Sequence, residues 1–278
     1  MYLVDGNNIY HTVWHSSPVK TFTNINKVFM RMVMTVCRCY GDSASLGRMS
    51  GIRLVWDSSF GNWRQRAYTE YKAGRNPFQT EQEFEQFKEI RLQLKQHIQE
   101  KIPLKQISIN SFEADDVIAA IIRKQKEKGK QSVIVIVSND KDFYQLINKS
   151  KPVIMIKRIG RAYENKRKFS YKDFVDKYGI EPHQWSHARS LMGDSSDNIP
   201  GIMGIGEVYA LELIKRYGNL GQWIDKPSLL KQGGSDRIDK LGIKACIDRK
   251  GVRKWYELID LVNDHSGIKF SMTNNIYK

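Results

Sequence analysis

Val133-Ile134-Val135-Ile136-Val137-Ser138-Asn139-Asp140-Lys141-Asp142 is the stretch on which the reading of this chain turns. Five consecutive β-branched residues show no polar alternation, so a strand here must be covered on both faces. Such strands belong to largely parallel sheets flanked by helices. Two aspartates then follow within a few residues of the strand's carboxyl end, the edge where open parallel sheets form their sites.

Outward from this strand, short apolar runs alternate with helical patterns. Tyr2-Leu3-Val4 predicts a first strand and 26–40 a helix; Ile52 to Trp56 predicts a second strand, and 80–101 a long polar helix. Gln106 to Ile109 reads as a short strand. Residues 113–128 read as an amphipathic helix with Val117, Ile118, Ile121 and Ile122 on its apolar face, and Val153 to Ile156 as one more strand. This alternation predicts an α/β fold with a mostly parallel central sheet and helices on both faces. From Tyr171 the pattern is mainly helical, punctuated by Gly179, Gly201, Gly204, Gly206 and Gly218. The expected division is a core over 1–170 and a helical subdomain over 171–278 packed on the sheet. The Met30, Met32 and Met34 stripe reads as core filler.

Lys and Arg number 45 against 30 Asp and Glu, a formal net charge of +15. A surplus of that size points to a polyanionic partner, nucleic acid above all. Cys37, Cys39 and Cys246 are odd in number and lack paired CxxC spacing, which argues against a disulfide framework or a zinc site. The N-terminus has no secretory pattern and no stretch has the apolar length of a membrane span. The expectation is a cytoplasmic, monomeric protein with reduced thiols.

The acids carry the chemistry. Asp5 and Asp57 directly end the first two strands, Glu113, Asp115 and Asp116 open the helix after the third, and Asp140 and Asp142 follow the fourth. Asp194 and Asp197 come later, in Gly-Asp-Ser-Ser-Asp-Asn. Any one of these alone reads as a helix cap or a turn residue; the succession at strand ends does not. Two carboxylates about 4 Å apart repel by roughly 4 kcal/mol at an effective dielectric near 20. Such a cluster must protonate, meet Lys or Arg, or bind metal. With no histidine or cysteine placed among them in sequence, an all-oxygen site for Mg²⁺ or Mn²⁺ is implied.

At this point the chain resembles the 5′-nucleases: flap endonucleases, phage 5′-exonucleases and the N-terminal nuclease domain of bacterial DNA polymerase I. The resemblance rests on Val4-Asp5-Gly6-Asn7-Asn8, Val55-Trp56-Asp57, Tyr71-Lys72-Ala73-Gly74-Arg75, Glu113-Ala114-Asp115-Asp116, Asn139-Asp140-Lys141-Asp142 and the long run Leu191 to Gly201. These segments appear in the family's order across roughly residues 1 to 220. The resemblance implies a divalent-metal-dependent, structure-selective 5′-nuclease that cuts DNA at or near 5′ ends and flap junctions. It implies one metal ion held by Asp5, Asp57, Glu113, Asp115, Asp116 and Asp140, and a second by Asp142, Asp194 and Asp197 with Asp140 between them. It also implies a helical arch over about 64–105, with Lys72 and Arg75 at the scissile phosphate and Arg64, Arg66 and Tyr71 contacting DNA.

Gly201-Ile202-Met203-Gly204-Ile205-Gly206 has the wrong glycine spacing for a dinucleotide site. It resembles the hairpin of the family's helix-hairpin-helix-like (H3TH) element, whose backbone N–H groups approach duplex phosphates. By that resemblance Gly201, Gly204, Gly206, Lys215 and Arg216 contact DNA, and a potassium ion sits on the hairpin's backbone oxygens. Val208 stands where the family usually has a basic residue. A second basic run, from Lys157 to Lys168 with Arg161, Lys166 and Arg167, reads equally as an extended duplex footprint or as a solvated β-hairpin. The segment 252–262 reads as a final helix, and no chemistry is assigned to Cys246 or His265. An RNA-cutting nuclease of the related PIN type is the runner-up, opposed by the run from Gly193 to Gly206. A DNA-binding scaffold without catalysis would lack a strand-end acid, and none is missing. With no polymerase domain following, the chain reads as a stand-alone nuclease.

Overall fold

The computed structural model describes residues 1–40, 51–75, 78–127, 133–150, 153–157, 167–231 and 236–263. Six strands form one sheet: β1 (Tyr2–Asp5), β2 (Ile52–Val55), β3 (Lys105–Ile107), β4 (Ile134–Val137), β5 (Val153–Lys157) and β6 (Arg167–Phe169), in the order β3-β2-β1-β4-β5-β6. All neighbours pair in parallel except β5 and β6. The sheet grows from β1 toward β3 on one side and from β4 outward on the other. The carboxyl ends of β1 and β4 therefore flank the crevice where the chain reverses direction of growth, the favoured position for a site in such sheets.

Side-chain alternation divides the core into two layers. Leu3, Ile134 and Ile136 face one apolar cluster, while Val4, Val135 and Val137 face the other. The second layer is filled by α1 (Gly6–Ser16), α2 (Phe22–Tyr40) and α4 (Glu81–Lys101), with the short α3 (Trp63–Ala67) lying between β2 and α4 in the chain. Met32 is buried there and Met30 packs against it. The first layer holds α5 (Ala114–Glu127) together with α6 (Tyr171–Tyr178), α7 (Trp185–Met192), α8 (Glu207–Tyr217), α9 (Leu220–Trp223), α10 (Arg237–Ile247) and α11 (Arg249–Ile259). Phe174, Trp185, Leu213 and Trp223 join the same buried cluster as Leu3 and Val117, so the C-terminal helices share the sheet's core. No described helix is long and apolar enough to cross a membrane.

Three elements depart from the sequence expectations. α1 begins directly after β1, where Gly6, Asn7 and Asn8 are weak helix formers. Asp5 offsets them by capping: its carboxylate accepts from the Asn8 N–H at 3.0 Å. Gly6 is obligatory here, since a Cβ would sit 2.7 Å from the Trp56 ring. Second, α4 is a core helix rather than the free side of an arch. Phe87, Ile90, Leu94 and Ile98 recur at helical spacing and are buried against α1, α2 and the sheet, and the Tyr10 hydroxyl donates to Phe87 O at 2.9 Å. The span expected to form an arch, about 64–105, thus includes a helix that packs in the core. Third, β6 adds an antiparallel edge strand: the two ends of the basic run Lys157–Lys168 fall in β5 and β6, which pair as the strands of a hairpin, while its residues 158–166 lie outside the described residues.

Candidate active site

Asp5, Asp57 and Asp140 stand at the crevice between strand ends. Asp5 accepts from the Ser138 hydroxyl at 2.9 Å as well as from Asn8, so the loops after β1 and β4 are joined through its carboxylate. Asp57 accepts from Ala114 N–H at 2.8 Å, at the start of α5, and from the Asn7 side chain. Asp140 accepts from Asp142 N–H at 2.9 Å. Among the described residues none of the three has an ion-pair partner within 4 Å. Burial pushes the Asp5 carboxyl up to about 7, with the Asp57 charge adding to it. Asp57 is raised by burial and by Glu113. Asp140 opens onto the cleft but has lost enough hydration that it too is pushed up to about 7, with Asp142, Asp5 and Asp197 contributing.

Glu113, Asp115 and Asp116 have a different environment. Arg64, expected at a DNA surface, is buried beneath the site. Its Nη1 and Nη2 donate to the two oxygens of Asp116 at 2.7 and 2.8 Å, and Nη1 also reaches Glu113 Oε2 at 3.1 Å. Its Nε donates to Leu258 O in α11 at 2.7 Å. A guanidinium engaged in this way has no face left for phosphate, so the surface assignment is corrected: Arg64 is an internal counter-charge. Asp116 is the acid most fully engaged within the protein: its two oxygens accept from Arg64, and Trp63 Nε1 donates to it at 3.0 Å. Tyr71 is also internal, its hydroxyl lying 2.8 Å from Glu113 Oε2 and 3.0 Å from Asp197 Oδ2. It faces the acids in this structure rather than an open surface.

Lys72 and Arg75 stay at the cleft. Lys72 Nζ donates to Glu113 Oε1 at 2.5 Å and lies 3.8 Å from Asp197, and Arg75 lies 3.6 Å from Asp197. Burial opposes both charges of the Lys72–Glu113 pair, yet the pairing prevails. Lys72 and Arg64 together hold Glu113 down at about 2, and the ammonium of Lys72 is held above its ordinary range by Glu113 and Asp197. One cleft of about 370 Å³ is lined by Asp5, Asp57, Glu113, Asp115, Asp140, Lys72 and Arg75. The sequence reading missed its other wall, where Lys88 and Arg91 of α4 and His11 of α1 line the same space. Their helical spacing was the available signal. His11 corrects the expectation of a site without histidine: burial holds it down at about 4, so it is a neutral imidazole packed on Phe87.

Asp142, Asp194 and Asp197 form a second group, with one oxygen from each lying within 4.8 Å of the others. Arg189 of α7, also missed, spans two of them: its Nε donates to Asp142 at 3.1 Å and its Nη2 pairs with Asp194. It sits just over one helical turn before Asp194, which was its only trace in the sequence. The loop carrying Asp194 and Asp197 is closed by Gly193 and Gly201, both at positive φ (77° and 61°). A Cβ on Gly201 would lie 2.4 Å from Gly193 N, so only glycine permits this approach. Oxygen-only carboxylate groups at this spacing, some without a cation opposite, fit a hard divalent ion.

The glycine hairpin continues from Gly201. Gly204 is at φ 93°, and α8 starts after Gly206 without a side-chain cap, leaving its first N–H groups open to an anion. Val208 and Met203 are highly exposed beside it. Lys215 and Arg216 lie at the opposite end of α8, roughly 12 Å along the axis. Arg216 is turned to Asp236 and Asp239, at 2.7 and 3.2 Å, so it does not belong to the hairpin's anion face. The Lys215 side chain lies over Gly179. Arg66 is exposed, with one long contact to Ser111 at 3.4 Å.

Residues 1–179 match the family described as 5′-3′ exonuclease, N-terminal resolvase-like domain, and residues 180–272 match 5′-3′ exonuclease, C-terminal SAM fold. The thermostable DNA polymerase I of Thermus thermophilus is 35% identical over 181 residues, 63% of this chain and 20% of that protein. A 5′-3′ exonuclease of Buchnera aphidicola subsp. Schizaphis graminum is 36% identical over 169 residues, 61% of this chain and 54% of its own length. The chain thus spans a fifth of one relative and about half of the other. Among solved structures, bacteriophage T5 5′-exonuclease with divalent metal ions (zinc) bound aligns with a TM-score of 0.75 at 21% identity, covering 95% of this chain and 90% of that one. A T5 flap endonuclease pseudo-enzyme-product complex with DNA and metal ions gives 0.72 at the same identity and coverage. At that identity the likeness is one of fold.

Proposed function

Because the chain belongs to the 5′-3′ exonuclease family, we propose that it hydrolyses DNA phosphodiester bonds at or near 5′ ends and flap junctions, in replication or repair. The observation that carries this reading is one cleft in which, among the described residues, Asp5, Asp57 and Asp140 have no ion-pair partner within 4 Å while Lys72 and Arg75 stand beside them. Asp5, Asp57, Glu113, Asp115 and Asp140 would hold one Mg²⁺ or Mn²⁺, and Asp142, Asp194 and Asp197 a second. Bound there, such ions lower the pKa of water toward neutrality and stabilise a leaving oxygen.

The chain's own residues supply the rest. Lys72 stays protonated, and with Arg75 it offers positive charge to a phosphate entering the cleft, where charge grows as phosphorus is attacked. Lys88 and Arg91 extend that basic wall. The open N–H groups at the start of α8 would grip duplex phosphates away from the cut. A potassium ion on the hairpin carbonyls would have to do without Met203 O, which already accepts from Lys244 Nζ at 2.6 Å. The formal charge of +15 supports a DNA partner, and a monomer in the cytoplasm of a bacterial or phage-infected cell is the setting proposed.

The test uses 5′-labelled flap, nicked and single-stranded DNA, and an RNA–DNA hybrid, with Mg²⁺ or EDTA. Mg²⁺-dependent release of short 5′ products from the flap, lost in Asp140→Asn, is expected. Salt-sensitive binding without cleavage would leave a DNA-binding protein and overturn the reading.

A further inference from the structure

Lys72 is one of three described non-glycine residues at positive φ, at 56°, and Asn198 is another, at 57°. The two sit on loops that touch. Lys72 N–H donates to Asp197 O at 3.0 Å, Asn198 Nδ2 donates to Glu70 O at 2.8 Å, and the Tyr71 hydroxyl lies 3.0 Å from Asp197 Oδ2. A lysine gains nothing from left-handed backbone and keeps it only where its surroundings over-determine it. Asparagine, by contrast, tolerates that conformation well. The loop doing the holding is itself stiff. Its ends are closed by the Gly193–Gly201 approach, and Asp194 and Ile199 bridge across it.

We infer that Asn198 is a positioning residue for Lys72. Its left-handed turn aims the Asp197 carbonyl at Lys72 N–H, while its amide fixes the preceding Glu70 carbonyl. Lys72 is thereby held over the acids by the same closed loop whose final glycine opens the DNA-facing hairpin. Seating a duplex on Gly201 to Gly206 and placing the lysine are then linked through one rigid connection. The inference deepens the proposed nuclease reading and rests on it for its kinetic test alone.

Asn198→Ala removes the amide and strains the turn, whereas Asn198→Gly removes the amide and keeps the turn. Single-turnover cleavage of a 5′ flap is expected to slow on the order of 10- to 100-fold in Asn198→Ala, with flap affinity measured in Ca²⁺ changed less than about twofold. Asn198→Gly should lie between it and the wild type. In a Lys72→Ala background the Asn198→Ala effect should vanish, because Asn198 acts through the lysine. An equal loss in both backgrounds would overturn the inference. A second readout needs no activity: trypsin should cut the folded wild type slowly after Lys72 and the Asn198→Ala protein several-fold faster. Equal cutting would overturn the clip even if no cleavage of DNA were seen, whereas an inactive wild type with an intact clip would count against the nuclease reading instead.

Discussion

The acids of the cleft form two sets that differ in what stands opposite them. Glu113, Asp115, Asp116, Asp142, Asp194 and Asp197 each meet a guanidinium or ammonium, from Arg64, Lys72, Arg75 or Arg189. Asp5, Asp57 and Asp140 meet neutral donors: Asn8 N–H and the Ser138 hydroxyl, Ala114 N–H, and Asp142 N–H. The first set has counter-charge from the fold even with no metal bound. The second is a charge the fold leaves standing, which must take up protons or a cation. Position at a strand end does not separate the sets; counter-charge does.

The comparison is broken most severely by Arg64→Ala, which strips the paired set of its cation and leaves Asp116 and Glu113 charged in the interior. A loss of about 3–5 kcal/mol in urea unfolding is expected. A change below 1 kcal/mol would show that Arg64 is dispensable and the pairing incidental. Lys72→Ala acts on the shared border of the two sets. It should cut the cleavage rate by about 10²- to 10³-fold and leave DNA affinity within a few-fold; equal losses in both would make Lys72 a binding residue only.

A smaller effect lies in pH. Asp5 and Asp140, raised to about 7, contribute stability that is present at acid pH and lost as pH rises through that value. His11 and His187, both held down at about 4 chiefly by burial, act in the opposite direction between about 4 and 6.5. The difference between melting curves with and without Mg²⁺ removes the histidine contribution. That difference should grow as pH rises from 6 to 8, since the ion competes with protons for the same oxygens. A pH-independent difference would place the ion elsewhere.

Much of this was legible in the sequence. The β-branched run before Ser138 announces a doubly covered strand, and Asp5 and Asp57 fall at strand ends by their position alone. The fate of the basic residues was not legible. Arg64 lies in a run where the family resemblance implies contact with DNA, but its Nε partner, Leu258, is 194 residues away. Nothing local distinguishes an arginine bound for the interior from one bound for DNA. α4 hid its apolar stripe in a strongly polar sequence, and α1 hid behind two asparagines that only the Asp5 cap makes tolerable. Arg189 escaped notice because its partners come from two different loops.

The account depends on the unpaired acids holding a divalent ion, and the melting temperature of wild type and Asp140→Asn with and without Mg²⁺ tests this most directly. The wild type should rise with Mg²⁺. The variant should melt at least as high as the wild type without metal, having lost an uncompensated charge, and should gain clearly less than the wild type when Mg²⁺ is added. An equal Mg²⁺-induced rise in both proteins, or a variant that melts well below the wild type without metal, would contradict it.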